Sequence, residues 1–273
     1  MKKIYKTKYN MSLDSWVAVS EIARSHGKIS LLTRPKARGV ADLPQLVLRP
    51  LAALLTVGGL SPLGPVLAAC PADSGGIFQV TTGETCTAVQ SSYIGSTGNS
   101  AIVRADNTGS TIQLTAPNVT VTNTTNGNGY ALETTTDGII NVEGNLTAVT
   151  NGFNGRAIYM AGGTINISGN LVANHLVRAQ GAGIEVSGGM LNVEGTTAIN
   201  TAHADGLRNA GSANFVGDVT INAKDYSQGI LNYSTATFGN NLTVNTTDMN
   251  AGINMGGGSI SVVRDLSIAT SNT

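Results

Sequence analysis

The residues of this chain whose types and spacing best suit chemistry are two pairs of glutamates. Glu133 and Glu185 occupy equivalent positions two repeats apart in a repetitive sequence, and so do Glu143 and Glu194. Paired carboxylates are the catalytic groups of most glycoside hydrolases, where one acts as the acid and the other as nucleophile or base. If the repeats stack as coils of strands, each pair is about 10 Å apart, near the upper end for that chemistry.

The repeat between the glutamates argues against catalysis. It places Tyr159 and Ser168 at the equivalent positions, so no third acid, Arg or Lys lines up with either pair. We therefore predict that the glutamates are solvated surface charges and that this chain is not an enzyme. Some β-helical proteins do cleave polysaccharides, and this keeps a polysaccharide-active enzyme as an alternative.

Two other sets of residues have the right types for chemistry but the wrong surroundings. His175 and His203 lie in joints of different repeats, whereas a metal site needs ligands that converge. We predict solvated loop histidines, no metal and no cofactor. Asp73-Ser74-Gly75-Gly76 resembles the segment around a trypsin-like nucleophile, but that chemistry needs His and Asp partners on a folded domain. A turn is the simpler prediction.

The elements that would position these residues come from a repeat with a period of 23 to 26 residues. Small residues followed by Leu or Ile mark its members, and a period of this size is typical of a solenoid. The apolar anchors are Leu132, Ile158, Ile184, Leu207, Ile230 and Ile253, with Ile102 as an earlier and less regular member.

Each repeat contains three short alternating pieces. In Ile140-Asn141-Val142 and Ile165-Asn166-Ile167, period-two alternation places the outer two residues on one face and the middle one on the other. Two polar files are therefore expected on the outside of the stack. They are Asn141, Asn166, Asn192 and Asn214 in one file, and Thr120, Thr147, Thr220, Thr243 and Ser267 in the other.

This pattern predicts an all-β fold, a right-handed parallel β-helix with three short strands per coil and about seven coils. Gly, Asn and Asp occupy the joints and tolerate the positive φ that corners require. A hairpin-based sandwich is the competing fold, but it would give strands every 8–12 residues without a triplet rhythm.

The leader of the chain is about twice the usual length of an export signal. Its basic residues lie between Lys28 and Arg49, its apolar run is Leu51 to Leu60, and its cleavage site is at Ala68 and Ala69. Because the apolar run is far shorter than the roughly 20 residues of a membrane span, we predict no membrane helix, and the cleavage site predicts removal of the leader. An extra segment, residues 1–28, therefore precedes an ordinary signal at residues 29–69.

The extra segment has a distinctive set of residues, namely Ile4, Tyr5, Lys6, Asn10, Trp16, Val17, Ala18, Val19, Ser20, Glu21, Ala23, Arg24, Gly27 and Lys28. With these residues it resembles the extended signal peptide region of type V secretion proteins from Gram-negative bacteria. Lys2 and Tyr9 depart from the family pattern, in which Asn and Trp are usual.

The resemblance implies export through the Sec translocon and display on the cell surface, in the outer membrane or outside the cell. It also implies a partner outer-membrane β-barrel with its assembly machinery. The chain reaches Thr273 directly after a predicted strand, without a capping segment or a run of barrel strands. We therefore expect the N-terminal part of a longer autotransporter, whose barrel would follow.

The two cysteines lie where the mature chain would begin. In an oxidising compartment Cys70 and Cys86 are expected to form a disulfide within an N-terminal cap at residues 70–100. Leu67-Ala68-Ala69-Cys70 also fits a lipoprotein cleavage box, in which Cys70 would be lipidated. The mass of the mature N-terminus would decide between these alternatives.

The remaining residues, 101–273, form the predicted passenger. From residue 70 onward the chain has six Lys or Arg and 13 Asp or Glu, a net charge of −7, which argues against nucleic acid as a partner. The favoured function is an adhesin-like surface protein that binds host-cell or bacterial surface ligands. A passenger of an autotransporter enzyme and a two-partner secreted filament are the alternatives. The absence of Asn-Pro after residue 70 counts against the filament.

Overall fold

The computed structural model comprises two units, Met1–Ser61 and Pro62–Thr273. It describes residues 5–10, 15–20, 70–177, 180–225, 227–248 and 251–271. In the first unit, β1 (Tyr5–Asn10) and β2 (Ser15–Ser20) form an antiparallel hairpin. Most of the extended signal motif lies on these two strands, whereas Glu21 and the cleavage residues Ala68 and Ala69 lie outside the described residues.

The described part of the second unit consists of three parallel sheets with eight strands each, and every third strand returns to the same sheet. Sheet I contains β3 (Phe78–Val80), β6 (Ala101–Ala105), β9 (Tyr130–Thr134), β12 (Arg156–Met160), β15 (Ala182–Val186), β18 (Asp205–Asn209), β21 (Ile230–Asn232) and β24 (Ile253–Met255). Sheet II contains β4 (Thr85–Ala88), β7 (Thr111–Leu114), β10 (Ile139–Val142), β13 (Thr164–Ile167), β16 (Met190–Val193), β19 (Ser212–Phe215), β22 (Thr235–Phe238) and β25 (Ser259–Val262). Sheet III contains β5 (Ser92–Gly95), β8 (Asn118–Asn123), β11 (Asn145–Thr150), β14 (Leu171–His175), β17 (Thr197–Ala202), β20 (Val219–Lys224), β23 (Leu242–Thr247) and β26 (Leu266–Ser271).

One strand from each sheet makes a coil, so the predicted parallel β-helix with three strands per coil is confirmed. The described coils number eight, whereas the sequence predicted about seven. The additional coil is β3 to β5, within the segment that we predicted as a cap. Its strands pair with β6, β7 and β8 in the same parallel manner as the later coils.

The core is a column of side chains that point inward from all three sheets. In β10, Ile140 and Val142 are buried while Asn141 between them is partly exposed, as the alternation predicted. Ile140 pairs in register with Ile165 on the next coil, so apolar groups superpose rung upon rung. No single coil would bury these groups by itself, and stacking therefore supplies most of the stability.

The predicted anchors pair in register along sheet I, except for the earliest one. Val103, and not Ile102, pairs with Leu132. Ile102 is also buried, and its Cδ1 lies where a side chain on Gly95 would be. The pattern of a small residue followed by Leu or Ile gave the wrong anchor here, because the first coils have a large residue at the position that a small residue occupies in the later coils.

The corners between sheet I and sheet II require residues without a side chain. Gly163 and Gly189 have φ angles of +73° and +76°. A Cβ at Gly163 would lie 2.1 Å from the carbonyl oxygen of Gly138, and one at Gly189 would lie 2.2 Å from that of Gly163. Both the backbone conformation and the close approach of stacked coils therefore select glycine here.

The outer asparagines form amide ladders along the stack. Asn166 Nδ2 donates to Asn141 Oδ1 at 2.8 Å, and Asn192 Nδ2 donates to Asn166 Oδ1 at the same distance. This confirms the predicted asparagine register over these coils. A second ladder, which the sequence analysis missed, runs along sheet III with distances of 2.9 Å through Asn174, Asn200, Asn222 and Asn245.

The N-terminal end of the stack is held by two contacts from the segment before β3. Cys70 and Cys86 form the predicted disulfide, in which Cys86 belongs to the buried first coil. The Asp73 carboxylate accepts hydrogen bonds from the amide of Val89 at 2.6 Å and from the hydroxyl of Tyr93 at 2.9 Å. The disulfide uses the sulfur that lipidation of Cys70 would need, so the two states exclude each other.

Candidate functional site

The outer face of sheet I concentrates charged and aromatic residues in one register. Successive coils place Arg104, Glu133, Tyr159, Glu185 and Arg208 beside one another, and we call these five residues the charged file. Strand pairing positions them, since each occupies the same place on β6, β9, β12, β15 or β18. The file contains the glutamate pair singled out from the sequence, with Tyr159 between its members as predicted.

Two tyrosines and an arginine from neighbouring coils pack together beside this file. The rings of Tyr130 and Tyr159 have centroids 4.7 Å apart with an interplanar angle of 39°. The guanidinium of Arg156 lies 5.7 Å from the centroid of Tyr130 and 5.6 Å from that of Tyr159, within the range of cation–π attraction. Burial raises the pKa of the Tyr130 hydroxyl, which therefore stays neutral.

Glu185 is fixed between two guanidinium groups. Arg156 Nε donates to Glu185 Oε2 at 2.7 Å, and Arg208 Nη1 lies 3.5 Å from the same oxygen. The other carboxylate oxygen accepts from Ser187 Oγ at 3.0 Å. A carboxylate held by three donors in this way is fixed in position, which suits it to orienting the two arginines.

Glu133 has a different environment from Glu185. Arg104 Nε lies 3.4 Å from Glu133 Oε2, and the side chain of Arg104 also contacts Asp106 at 2.9 Å. Burial raises the pKa of Glu133, and the nearby Arg104 opposes this only in part. The protonated form of Glu133 is therefore favoured relative to a carboxyl group in water.

The prediction that Glu133 and Glu185 are solvated charges was wrong. Only 6% of Glu133 and 8% of Glu185 is exposed, because Arg and Tyr side chains from adjacent coils cover them. The prediction was correct for Glu143 and Glu194, which are exposed. The missing signal was present in the sequence, since extending the glutamate register by one coil on each side reaches Arg104 and Arg208.

The two histidines of the second unit also differ from each other. His175 is fully buried in sheet III, so the prediction of a solvated loop residue was wrong for it. Its Nε2 lies 2.8 Å from the carbonyl oxygen of Gly152, which assigns the proton to Nε2, while Nδ1 has no hydrogen-bond partner. Burial lowers its pKa. His203 lies at a corner with φ of 56° and contacts Asp225 at 3.2 Å.

The remaining features to place are the Asp73-Ser74-Gly75-Gly76 motif, groups of metal-ligating residues and membrane-spanning helices. Ser74 and its neighbours form a bend, and Asp73 binds backbone amides of the first coil, so this motif has the predicted local role. No group of three or more His, Cys, Asp or Glu residues in the described part of the chain is arranged to hold a metal ion. The described residues include no helix of sufficient length and hydropathy to cross a membrane.

Comparison with known families identifies the leader. Residues 1–53 match the family described as Extended Signal Peptide of Type V secretion system. No curated protein matches the chain, and no solved structure matches it. The match implies Sec-dependent export, an outer-membrane barrel as partner, and delivery to the outer membrane or surface of a Gram-negative bacterium.

This match confirms the resemblance found in residues 1–28 and extends it through the basic stretch into the apolar run. The β-helix described above follows the leader in the same chain. The chain therefore carries the type V secretion signal ahead of a parallel β-helix, which is the arrangement of an autotransporter passenger.

Proposed function

We propose that this passenger is an adhesin-like, non-catalytic surface protein that binds host-cell or bacterial surface ligands through the sides of its β-helix. The observation that carries this proposal is that other side chains occupy both carboxylate oxygens of Glu185. A catalytic carboxylate needs an oxygen that reaches the substrate, whereas those of Glu185 contact Arg156, Arg208 and Ser187. The site is thus built to present side chains in fixed positions.

The length of the β-helix in the second unit supports binding along its sides. Its eight described coils, at a spacing of about 4.8 Å, extend about 34 Å from the first to the last. The amide ladders and the charged file each run over several of these coils, so a ligand can make weak contacts with several coils at once. Contacts repeated on a rigid frame raise the overall affinity without any single strong site.

Adhesion is tested with the chain as exported and processed in a Gram-negative host. Polystyrene beads coated with this protein are expected to bind cultured epithelial cells or bacterial cells at least several-fold more than beads coated with heat-denatured protein. Equal binding by native and denatured protein on every cell type would refute the adhesive function.

A polysaccharide-active enzyme is the second candidate, and the buried Glu133 with its raised pKa is the observation that favours it. Such a carboxyl group suits a general acid. The test measures the release of reducing ends from pectin, alginate and chitin by the native protein and by Glu133→Gln. If the native protein releases reducing ends and Glu133→Gln lowers this activity at least a hundredfold, the enzyme replaces the adhesin as the proposed function. If no substrate is cleaved, the enzyme candidate is refuted.

A further inference from the structure

A cleft opens beside the Tyr130–Arg156–Tyr159 cluster, where loops from three coils and the end of a strand meet. Its volume is about 390 Å³. Amides and guanidinium groups dominate its walls, and aromatic surface forms one side. The residues that line it include Asn128, Tyr130, Asn154, Arg156, Gln180 and Arg208.

The polar groups of this cleft are held in place by contacts that leave binding capacity on its open side. Arg156 uses Nε for Glu185 and Nη1 for the carbonyl oxygen of Asn154 at 2.5 Å. Arg208 uses Nη2 for Asp205 at 2.8 Å. Both guanidinium groups are therefore fixed, and each is paired with a carboxylate. The side chain of Asn128 donates to Asn99 at 3.1 Å, and Asn128 is exposed.

We propose that this cleft is a binding site for a hexose-containing oligosaccharide. This inference rests on the proposed adhesive function and specifies the class of ligand. Side-chain amides offer a donor and an acceptor side by side, which matches neighbouring sugar hydroxyl groups. The ring of Tyr130, which lines the cleft and packs against Tyr159, offers an apolar platform for the C–H face of a sugar ring, and fixed guanidinium groups supply further donors.

Other ligand classes fit this cleft less well. A nucleic acid would meet a mature chain of net charge −7 and two arginines that already have carboxylate partners. An apolar peptide would offer no hydrogen-bond partner to the side-chain amides of Asn154 and Gln180, which line the cleft. A sugar satisfies both the amides and the ring of Tyr130, and a pocket of this size accepts one or two hexose units.

The test measures binding of the processed protein to immobilised lactose, cellotriose, chitotriose, sialyllactose and trigalacturonate. Tyr130→Ala is expected to lower the affinity for at least one of these sugars about tenfold, while Tyr130→Phe, which keeps the ring, stays within about threefold. The matched control is Tyr233→Ala, since Tyr233 is 52% exposed on another coil. It is expected to stay within about twofold of the native protein.

If a variant fails to fold, the site can still be tested in the native protein, whose tyrosine NMR signals report on binding. With ring-labelled tyrosine, addition of the bound sugar is expected to shift the NMR signal of Tyr130 and to leave that of the buried Tyr93 unchanged. Circular dichroism of each variant confirms that its fold is intact.

The outcomes separate this site from the adhesive function itself. No binding to any of the five sugars, or binding that Tyr130→Ala leaves unchanged and that does not shift the Tyr130 signal, would overturn the site. If beads still adhere to cells in that case, the adhesive function stands without it. If beads coated with native protein bind cells no better than beads coated with denatured protein, the adhesive function is refuted, whatever the sugar assay gives.

Discussion

Adding a methyl group at Gly183 tests how side chains from different sheets fit inside the solenoid. A Cβ at Gly183 would lie 2.5 Å from Cγ2 of Ile199 and 3.0 Å from Cγ2 of Thr201. The preceding coil has Ala157 between the residues that pair with Ala182 and Ile184, and Ala173 in register with Ile199. One coil thus combines two alanines where the next combines a glycine and an isoleucine.

This exchange of volume sets the expected free energies of unfolding. Gly183→Ala overpacks the core, at a cost of about 1–3 kcal/mol, which reduced chain entropy in the unfolded state offsets by about 0.4–1 kcal/mol. Ile199→Ala removes a buried side chain and costs about 2–5 kcal/mol. In the double variant the new methyl group occupies part of the vacated space, so its cost is about 1–2 kcal/mol less than the sum of the single variants.

Urea unfolding of the processed protein, followed by circular dichroism near 218 nm, measures these differences. The matched control is Gly98→Ala, because a Cβ at Gly98 has no atom within 4 Å. That variant is expected to lie within about 0.5 kcal/mol of the native protein or to be slightly more stable. A Gly183→Ala variant as stable as native protein, or additive costs in the double variant, would refute this packing argument.

Three further perturbations probe the cap and the buried polar groups. Burial lowers the pKa of His175, so below about pH 6.5 unfolding takes up a proton, and the free energy of unfolding falls by up to about 1.4 kcal/mol per pH unit towards the folded pKa. His175→Gln should therefore reduce the pH dependence of the urea midpoint between pH 7.5 and 5.5, and an unchanged pH dependence would contradict this. Cys70→Ser should cost about 3 kcal/mol in thermal or urea unfolding, and dithiothreitol should weaken only the parent protein; a diacylglyceryl mass on the mature N-terminus would contradict the disulfide. Asp73→Ala removes a carboxylate that accepts hydrogen bonds from a backbone amide and a tyrosine hydroxyl, and it should lower the free energy of unfolding by about 1.5–3 kcal/mol. The control, Asp137→Ala at an exposed position, should lower it by less than about 0.5 kcal/mol. Equal unfolding midpoints for the two variants would refute the capping role of Asp73.

The sheet register was predictable because its signal is local and repeated. Triplets such as Ile140-Asn141-Val142 carry two inward apolar residues and one outward polar residue, and the same rhythm returns after 23 to 26 residues. A one-residue slip would turn every apolar group towards water, so alternation fixes the register strongly. The first coil was missed because Phe78 and Tyr93 replace the aliphatic triplets found later in the chain.

The burial of charged and titratable groups was not predictable from the same pattern. Glu133 and Glu185 stand at outward positions, where the alternation predicts exposure, and His175 ends a strand close to a joint. Their burial depends on what neighbouring coils place beside them. A rule that assigns each residue to the inside or the outside therefore fails where long side chains from other coils cover an outward position.

By itself, the sequence determined the export signal and the coil, because both are encoded in short runs whose order along the chain carries the information. The tertiary structure alone decided that Arg156, Tyr130 and Glu185 form one cluster. These residues belong to three successive coils, and their contacts depend on side-chain directions and distances that arise only after the coils have stacked. Ion pairing and ring packing act over a few ångströms in space, and separation along the chain does not specify those distances.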